Sequence, residues 1–152
     1  MTARRILALD TATVTGWAVG PTYPAHGVHN FGPGKIDRAA LWLVFQYWLS
    51  DMIKLYKPDV LAYERPFVRG PGSLKLMGLA VETEKAAYLN DIFVLGVSPA
   101  TVKAHAKVKP RDGKAGMVDA ARAKGWHVGT ADEADALWLL DYAAGQLAGV
   151  AA

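Results

Sequence analysis

The chain has 152 residues, enough for one domain with a full core, and an apolar fraction of 52% with five tryptophans agrees with a packed globule. It has no cysteine, which excludes a disulfide framework and thiolate metal sites. Net charge is only +3, no apolar run approaches a membrane span, and the opening apolar stretch is too short for a signal peptide; a cytoplasmic protein with no membrane partner is expected.

Arg5 to Leu9 reads as a short buried strand that ends abruptly in Asp10. A carboxylate at the tip of a core strand is costly to desolvate, and it calls for a donor, a cation or a metal beside it. An Asx-type turn closing a hairpin is the alternative. Thr11 to Thr15 form the turn, Gly16 to Val19 a second strand, and Gly27 to Phe31 a third, which together make an antiparallel meander before Gly32-Pro33-Gly34 breaks the pattern. From Asp37 to Tyr56, Leu41, Val44, Phe45, Trp48, Leu49, Met52 and Leu55 recur at intervals of three and four, the stripe of an amphipathic helix.

Lys57-Pro58-Asp59 stops that helix, and Val60 to Tyr63 is a strand that ends in Glu64, repeating the device of the first. A strand reached through a long helix returns parallel to the first by a right-handed crossover. Asp10 and Glu64 then emerge at one sheet edge from strands about 4.8 Å apart. Two carboxylates that close repel unless a cation sits between them. Arg65 to Gly72 is a loop, Ser73 to Leu89 a helix, and Asp91 to Val97 a fifth strand. Ser98-Pro99 is an N-cap with Pro at the first helical position, opening a short helix that carries Thr101, Lys103 and His105. Pro110 to Gly113 is a basic turn and Lys114 to Lys124 a further helix. The fold class is α/β: one domain with a mixed five-stranded sheet, an antiparallel meander plus parallel strands, flanked by helices.

The positive charge is uneven. Between Ala100 and His127, Lys103, Lys107, Lys109, Arg111, Lys114, Arg122 and Lys124 face only Asp112 and Asp119. Such a patch is either a solvated helix face or a surface for a polyanion, and phosphate chemistry nearby favours the second. In the last helix, Thr130 and Glu133 have the spacing of a capping box, which gives Glu133 a structural role. Asp132 suits the first turn on dipole grounds as well. Asp135 lies beyond the cap, on the same face as Asp132, where no capping or dipole rule asks for a carboxylate. Asp10, Glu64, Asp132 and Asp135 form an oxygen-only donor set, with no Cys and no paired His, that favours Mg²⁺ or Mn²⁺ over zinc. A pair of such ions about 4 Å apart suits hydrolysis of a phosphodiester.

The ordered set LALDTATVTGWAV, LAYERPF, VSPATVKAHA, DGKAGMVDAAR and TADEADALWLLDYA resembles RuvC-type Holliday junction resolvases of the RNase H-like (retroviral-integrase) superfamily over nearly the whole chain. The resemblance implies an RNase H-like fold and a homodimeric, divalent-metal-dependent endonuclease that makes paired nicks in four-way DNA junctions. By position, Asp10, Glu64, Asp132 and Asp135 correspond to metal-binding acids with two ions per site. Lys103 and Lys114 fall where the family places lysines near the scissile phosphate, Lys114 with a share in catalysis, and Phe67 falls where an aromatic meets unstacked bases. The stretch between Lys103 and Lys114 is less glycine-rich than the family pattern, which suits a divergent or phage-encoded branch.

The residues add expectations of their own. Phe67 follows Pro66 in a glycine-framed loop with Arg65 and Arg69, where an aromatic can stack on a base and arginines can reach phosphate; a ring tucked onto the core is the alternative. Lys103, Lys107 and Lys114 are expected at the phosphate backbone, and the apolar face of the Ser73–Leu89 helix is a candidate dimer interface. Three other readings compete: a nuclease of the same superfamily acting on RNA–DNA hybrids or other branched DNA, an actin-like ATPase fragment using Asp10 to Thr15 as a phosphate loop, and a non-catalytic junction-binding protein. The second lacks the length and the Gly-rich adenosine motif, and the third has no use for the full set of acids.

Overall fold

The structure is a computed structural model that describes residues 3–22, 24–32 and 35–148. Five strands, β1 (Ile6–Asp10), β2 (Val14–Gly20), β3 (Ala25–Asn30), β4 (Val60–Glu64) and β5 (Phe93–Val97), form one sheet in the order β3-β2-β1-β4-β5. The meander β1-β2-β3 is antiparallel, whereas β4 and β5 join β1 in parallel. The helices are α1 (Arg38–Tyr56), α2 (Ser73–Leu89), α3 (Pro99–Ala106), α4 (Gly113–Ala123) and α5 (Ala131–Ala148), with a 3₁₀ turn at Pro110–Asp112. This is the mixed α/β sheet expected from the sequence.

β1 is apolar throughout because both of its faces are covered. Leu7 and Leu9 point into a layer with Leu41, Phe45 and Leu49 of α1 and Leu79 of α2. Ile6 and Ala8 point the other way, against Leu139, Ala134 and Ala143 of α5 and Val102 of α3. The two layers differ in side-chain size. Large residues fill the α1–α2 side, whereas the sheet presents Ala8, Ala18 and Ala62 to α5, and all three are fully buried. Small residues on both partners let α5 lie close to the strands, an arrangement that matters for the acids it carries.

Several boundaries differ from expectation for local reasons. β2 begins at Val14 rather than Gly16, because the turn closes earlier: the buried Thr15 hydroxyl donates to the Ala12 carbonyl at 2.7 Å and also accepts the Ala12 N–H. Phe31 lies beyond β3 and packs edge-on against Phe45 and Trp48. β5 starts at Phe93, after Asp91 turns the chain at φ 55. In α1 the buried stripe runs Leu41, Phe45, Leu49, Met52 and Ile53, so that Val44 and Leu55 fall on its exposed edge. The break expected at Gly32-Pro33-Gly34 lies partly outside the described residues, which omit Pro33 and Gly34.

Phe45 is fully buried and meets Phe31 and Trp48. Truncating it leaves a cavity that these rigid neighbours cannot fill. Phe45→Ala is expected to cost about 3–5 kcal/mol in urea unfolding without changing the midpoint's cooperativity.

Candidate metal centre

β1 and β4 run parallel in a register that pairs Leu9 with Tyr63, so the next step brings Asp10 beside Glu64 at the same edge. α5 crosses the sheet with its N-terminal turns over that edge. One ligand oxygen each from Asp10, Glu64 and Asp135 lies within 4.8 Å of the others. Asp132 stands outside that tight group, yet its charge acts on all three acids.

The electrostatics follow from crowding. Burial first, and then the charges of Glu64, Asp135 and Asp132, push the Asp10 carboxyl well above its ordinary value, with Lys114 opposing. Glu64 is pushed up to about 7 by burial and by Asp135, against the pull of Lys103. Asp135 is pushed up to about 6 by burial and by Asp132, against Lys103 and Lys114. Carboxyls raised this way hold their protons more tightly than free ones, and a cation among them would displace those protons and offset the repulsion; an all-oxygen donor set matches a hard ion such as Mg²⁺ or Mn²⁺.

Lys103 on α3 and Lys114 on the first turn of α4 therefore belong to the site's surroundings. The rest of the basic patch is less closely tied to it. Lys107 is exposed at the C-cap of α3, in the left-handed conformation one turn beyond Lys103. Phe67 is exposed, at 64%, with the Arg69 guanidinium 5.6 Å from its ring centre. Arg65 follows Glu64 in the chain and is exposed. Its aliphatic stem lies against Gly96 of β5, and its charge faces Tyr63, whose hydroxyl donates to Glu84 at 2.8 Å.

The cap of α5 is richer than a capping box. Thr130 Oγ1 accepts the Glu133 N–H as expected, but the Glu133 carboxylate takes the Gly129 N–H at 2.8 Å instead of the Thr130 N–H. Its other oxygen meets His26 Nδ1 of β3 at 2.6 Å. His26 was not foreseen, and no local pattern marks a pair 107 residues apart. Two further residues were missed. Lys75 Nζ donates to Thr13 Oγ1 at 3.3 Å, in the turn that follows Asp10. A cation in the first turn of a helix opposes the dipole, and that was the one available signal. Gly16 pairs with Asp10 and lies under the backbone of Asp132.

Among solved structures, RuvC of Thermus thermophilus superposes with a TM-score of 0.72 at 17% identity, covering 95% of this chain and 96% of that one. The fold is that of RuvC. T. thermophilus RuvC in complex with a Holliday junction substrate gives a TM-score of 0.75 at 16% identity, again over 95% and 96% of the two chains. The yeast mitochondrial Holliday junction resolvase Ydc2 gives 0.65 at 15% identity, over 90% of this chain and 76% of that one. No protein-family model matches the sequence, and no curated protein matches it either. Among the described residues no helix is long and apolar enough to cross a membrane.

The raised carboxyls make the metal-free fold sensitive to pH. Below the unfolded values of 3.8 for Asp135 and 4.5 for Glu64 both states are protonated; above them the unfolded chain ionises first, while the folded acids hold their protons up to about 6 and 7. The folded state then binds more protons, so stability is lost as pH rises through that window. In EDTA the Tm is expected to fall between about pH 4 and pH 7, less steeply in Asp135→Asn, and millimolar Mg²⁺ at the upper pH should restore it. Calorimetry reads this directly, and a wild-type Tm that rises across the window would contradict the crowding.

Proposed function

We propose that the protein is a divalent-metal-dependent endonuclease that resolves four-way DNA junctions by paired phosphodiester hydrolysis. The observation that carries this reading is the gathering of Asp10, Glu64 and Asp135 from two strand ends and a helix, flanked by Lys103 and Lys114, on a fold shared with RuvC. Asp10, Glu64, Asp132 and Asp135 would hold two Mg²⁺ or Mn²⁺ ions. When bound, such ions activate the attacking water and stabilise the leaving oxygen of the phosphodiester.

The chain's own residues do the rest. Lys103 and Lys114 lower the cost of keeping the acids ionised, and their ammonium groups offer point charges for phosphate oxygens beside the cluster. Lys114 is the nearer to Asp10 in its electrostatic effect, which suits a role at the reacting phosphate. Phe67, held out by its loop and backed by Arg69, offers an aromatic face to an unstacked base. Arg65, turned along β5, serves the DNA only through its exposed end, and Lys107 reaches the backbone one helical turn away from the chemistry.

Purified protein incubated with a synthetic four-way junction, an RNA–DNA hybrid or linear duplex, with Mg²⁺ or EDTA, tests the reading. Symmetric nicks in the junction alone, and only with metal, are expected; preferential cutting of the hybrid would move the protein to another RNase H-like activity. Asp135→Asn keeps the side-chain shape and removes the anion, so cutting should fall about a hundredfold or more. Its fold in EDTA should be at least as stable as wild type, because repulsion among the acids is relieved.

Paired cutting needs two sites related by a two-fold axis, and we assign the second site to a second copy of the chain. Leu74, Met77 and Val81 of α2 are exposed at helical spacing, and Tyr88 is exposed two turns beyond Val81 on the same side, past Glu84 and Lys85. Sedimentation at micromolar protein is expected to show a dimer, and Val81→Arg a monomer. A wild-type monomer both with and without junction DNA would exclude this arrangement.

A further inference from the structure

We propose that Gly16 is a positioning residue: its missing side chain sets how far the first turn of α5 stands from the sheet, and so how far Asp132 and Asp135 stand from Asp10 and Glu64. This rests on the metal-centre reading above and concerns what determines its dimensions. Gly16 pairs with Asp10 across the β1–β2 ladder and is buried. A Cβ built on Gly16 would lie 1.9 Å from the carbonyl oxygen of Asp132, 2.4 Å from its carbonyl carbon and 3.1 Å from the Glu133 nitrogen. Gly16 is not among the positive-φ glycines, so the strand conformation itself accepts a side chain. What forbids one is the helix backbone above it.

That contact is held shut from the other side. Both oxygens of the Glu133 carboxylate are engaged, one with the Gly129 N–H and one with His26 on β3, which ties the same turn of α5 down to the sheet. Gly16 thus sets the floor and the His26–Glu133 pair pulls the turn onto it. Restoring an ordinary contact of about 3.3 Å at Gly16 would lift the turn by more than about 1 Å. Oxygen ligands hold Mg²⁺ within a few tenths of an ångström of about 2.1 Å, so a shift of that size separates the helix-borne acids from the strand-borne ones.

The test compares wild type, Gly16→Ala, Asp135→Glu, and the Gly16→Ala/Asp135→Glu double variant, whose longer arm spans about the distance the helix has moved. Three quantities are read: the Mn²⁺ concentration at the midpoint of the thermal shift without DNA, the rate of junction cutting, and junction binding in EDTA. Gly16→Ala should raise the Mn²⁺ midpoint tenfold or more and slow cutting, with binding in EDTA unchanged. A merely loosened fold would lower Tm in EDTA and leave the midpoint where it was. In the double variant the midpoint should return toward wild type, although Asp135→Glu alone worsens it. A folded Gly16→Ala with an unchanged midpoint overturns the proposal, as does a double variant no better than Gly16→Ala. Should Gly16→Ala fail to fold, His26→Asn loosens the same turn without added bulk; a midpoint raised about threefold supports the proposal and an unchanged one overturns it. A wild type that binds Mn²⁺ but does not cut junctions contradicts the nuclease reading and leaves positioning to be judged on the midpoint. A wild type with no Mn²⁺ shift removes the metal centre and this proposal with it.

Discussion

Three carboxyls held against their own repulsion are the constraint around which this fold is arranged. Asp10, Glu64 and Asp135 come from β1, β4 and α5, and each is raised by burial before any neighbour's charge is felt. Left to themselves they would part. They stay together because each sits at the end of an element whose remainder is packed: Ile6 to Leu9 and Val60 to Tyr63 are buried along their whole length, as is α5 from Ala136 to Leu140. The lysines on α3 and α4 offset part of the cost and bring the helices that carry them to the same edge. Stability comes from the apolar layers and is partly given up at the rim of the sheet, where the site lies.

The two layers divide the work. On the α1–α2 side, Leu41, Phe45, Leu49 and Leu79 form a bulky core with aromatic neighbours, which braces the sheet. On the α5 side, alanines from strands and helix and the bare backbone of Gly16 bring α5 close, and this side delivers the acids. A second polar anchor on the outer side of α5 points the same way: Asp141 receives both His105 of α3 and Lys124, with Lys124 also stacked over Trp126 and Trp138. This network pulls the Asp141 carboxyl below its ordinary value although burial pushes it up, and it ties α5 to the elements that supply Lys103 and Lys114.

What the sequence revealed was what is written locally. An apolar run that ends in an acid is visible twice, at Asp10 and Glu64, and the parallel return of β4 beside β1 follows from the helix between them. Asp135 stood out because its position on α5 had no capping duty. The exposure of Phe67 also follows from its loop. The unreadable parts depend on contacts between elements far apart in the chain. Nothing near His26 says that Glu133 will reach it, and Gly16 looks like an ordinary strand glycine until the helix above it is seen. Arg65 sits between Glu64 and Phe67 in the sequence, and nothing local says that its stem will lie against Gly96 of β5. The turn before β2 is shorter than the hydroxyl-rich run Thr11 to Thr15 suggests, because the hydroxyl of Thr15 closes the turn from inside the strand.

The acids also join distant parts of the chain. Asp10 lies on the first strand and Asp135 on the last helix described, with every other element between them in sequence. Contacts of such high sequence separation form late, since the loop they close must be ordered first. A partly folded chain with the sheet and the α1–α2 layer in place, but α5 undocked, holds only Asp10 and Glu64 of the clustered acids. The same holds for local openings of the native state that release α5. The acid cluster and the completed fold therefore arrive together, so that partially folded chains do not carry the full acid cluster.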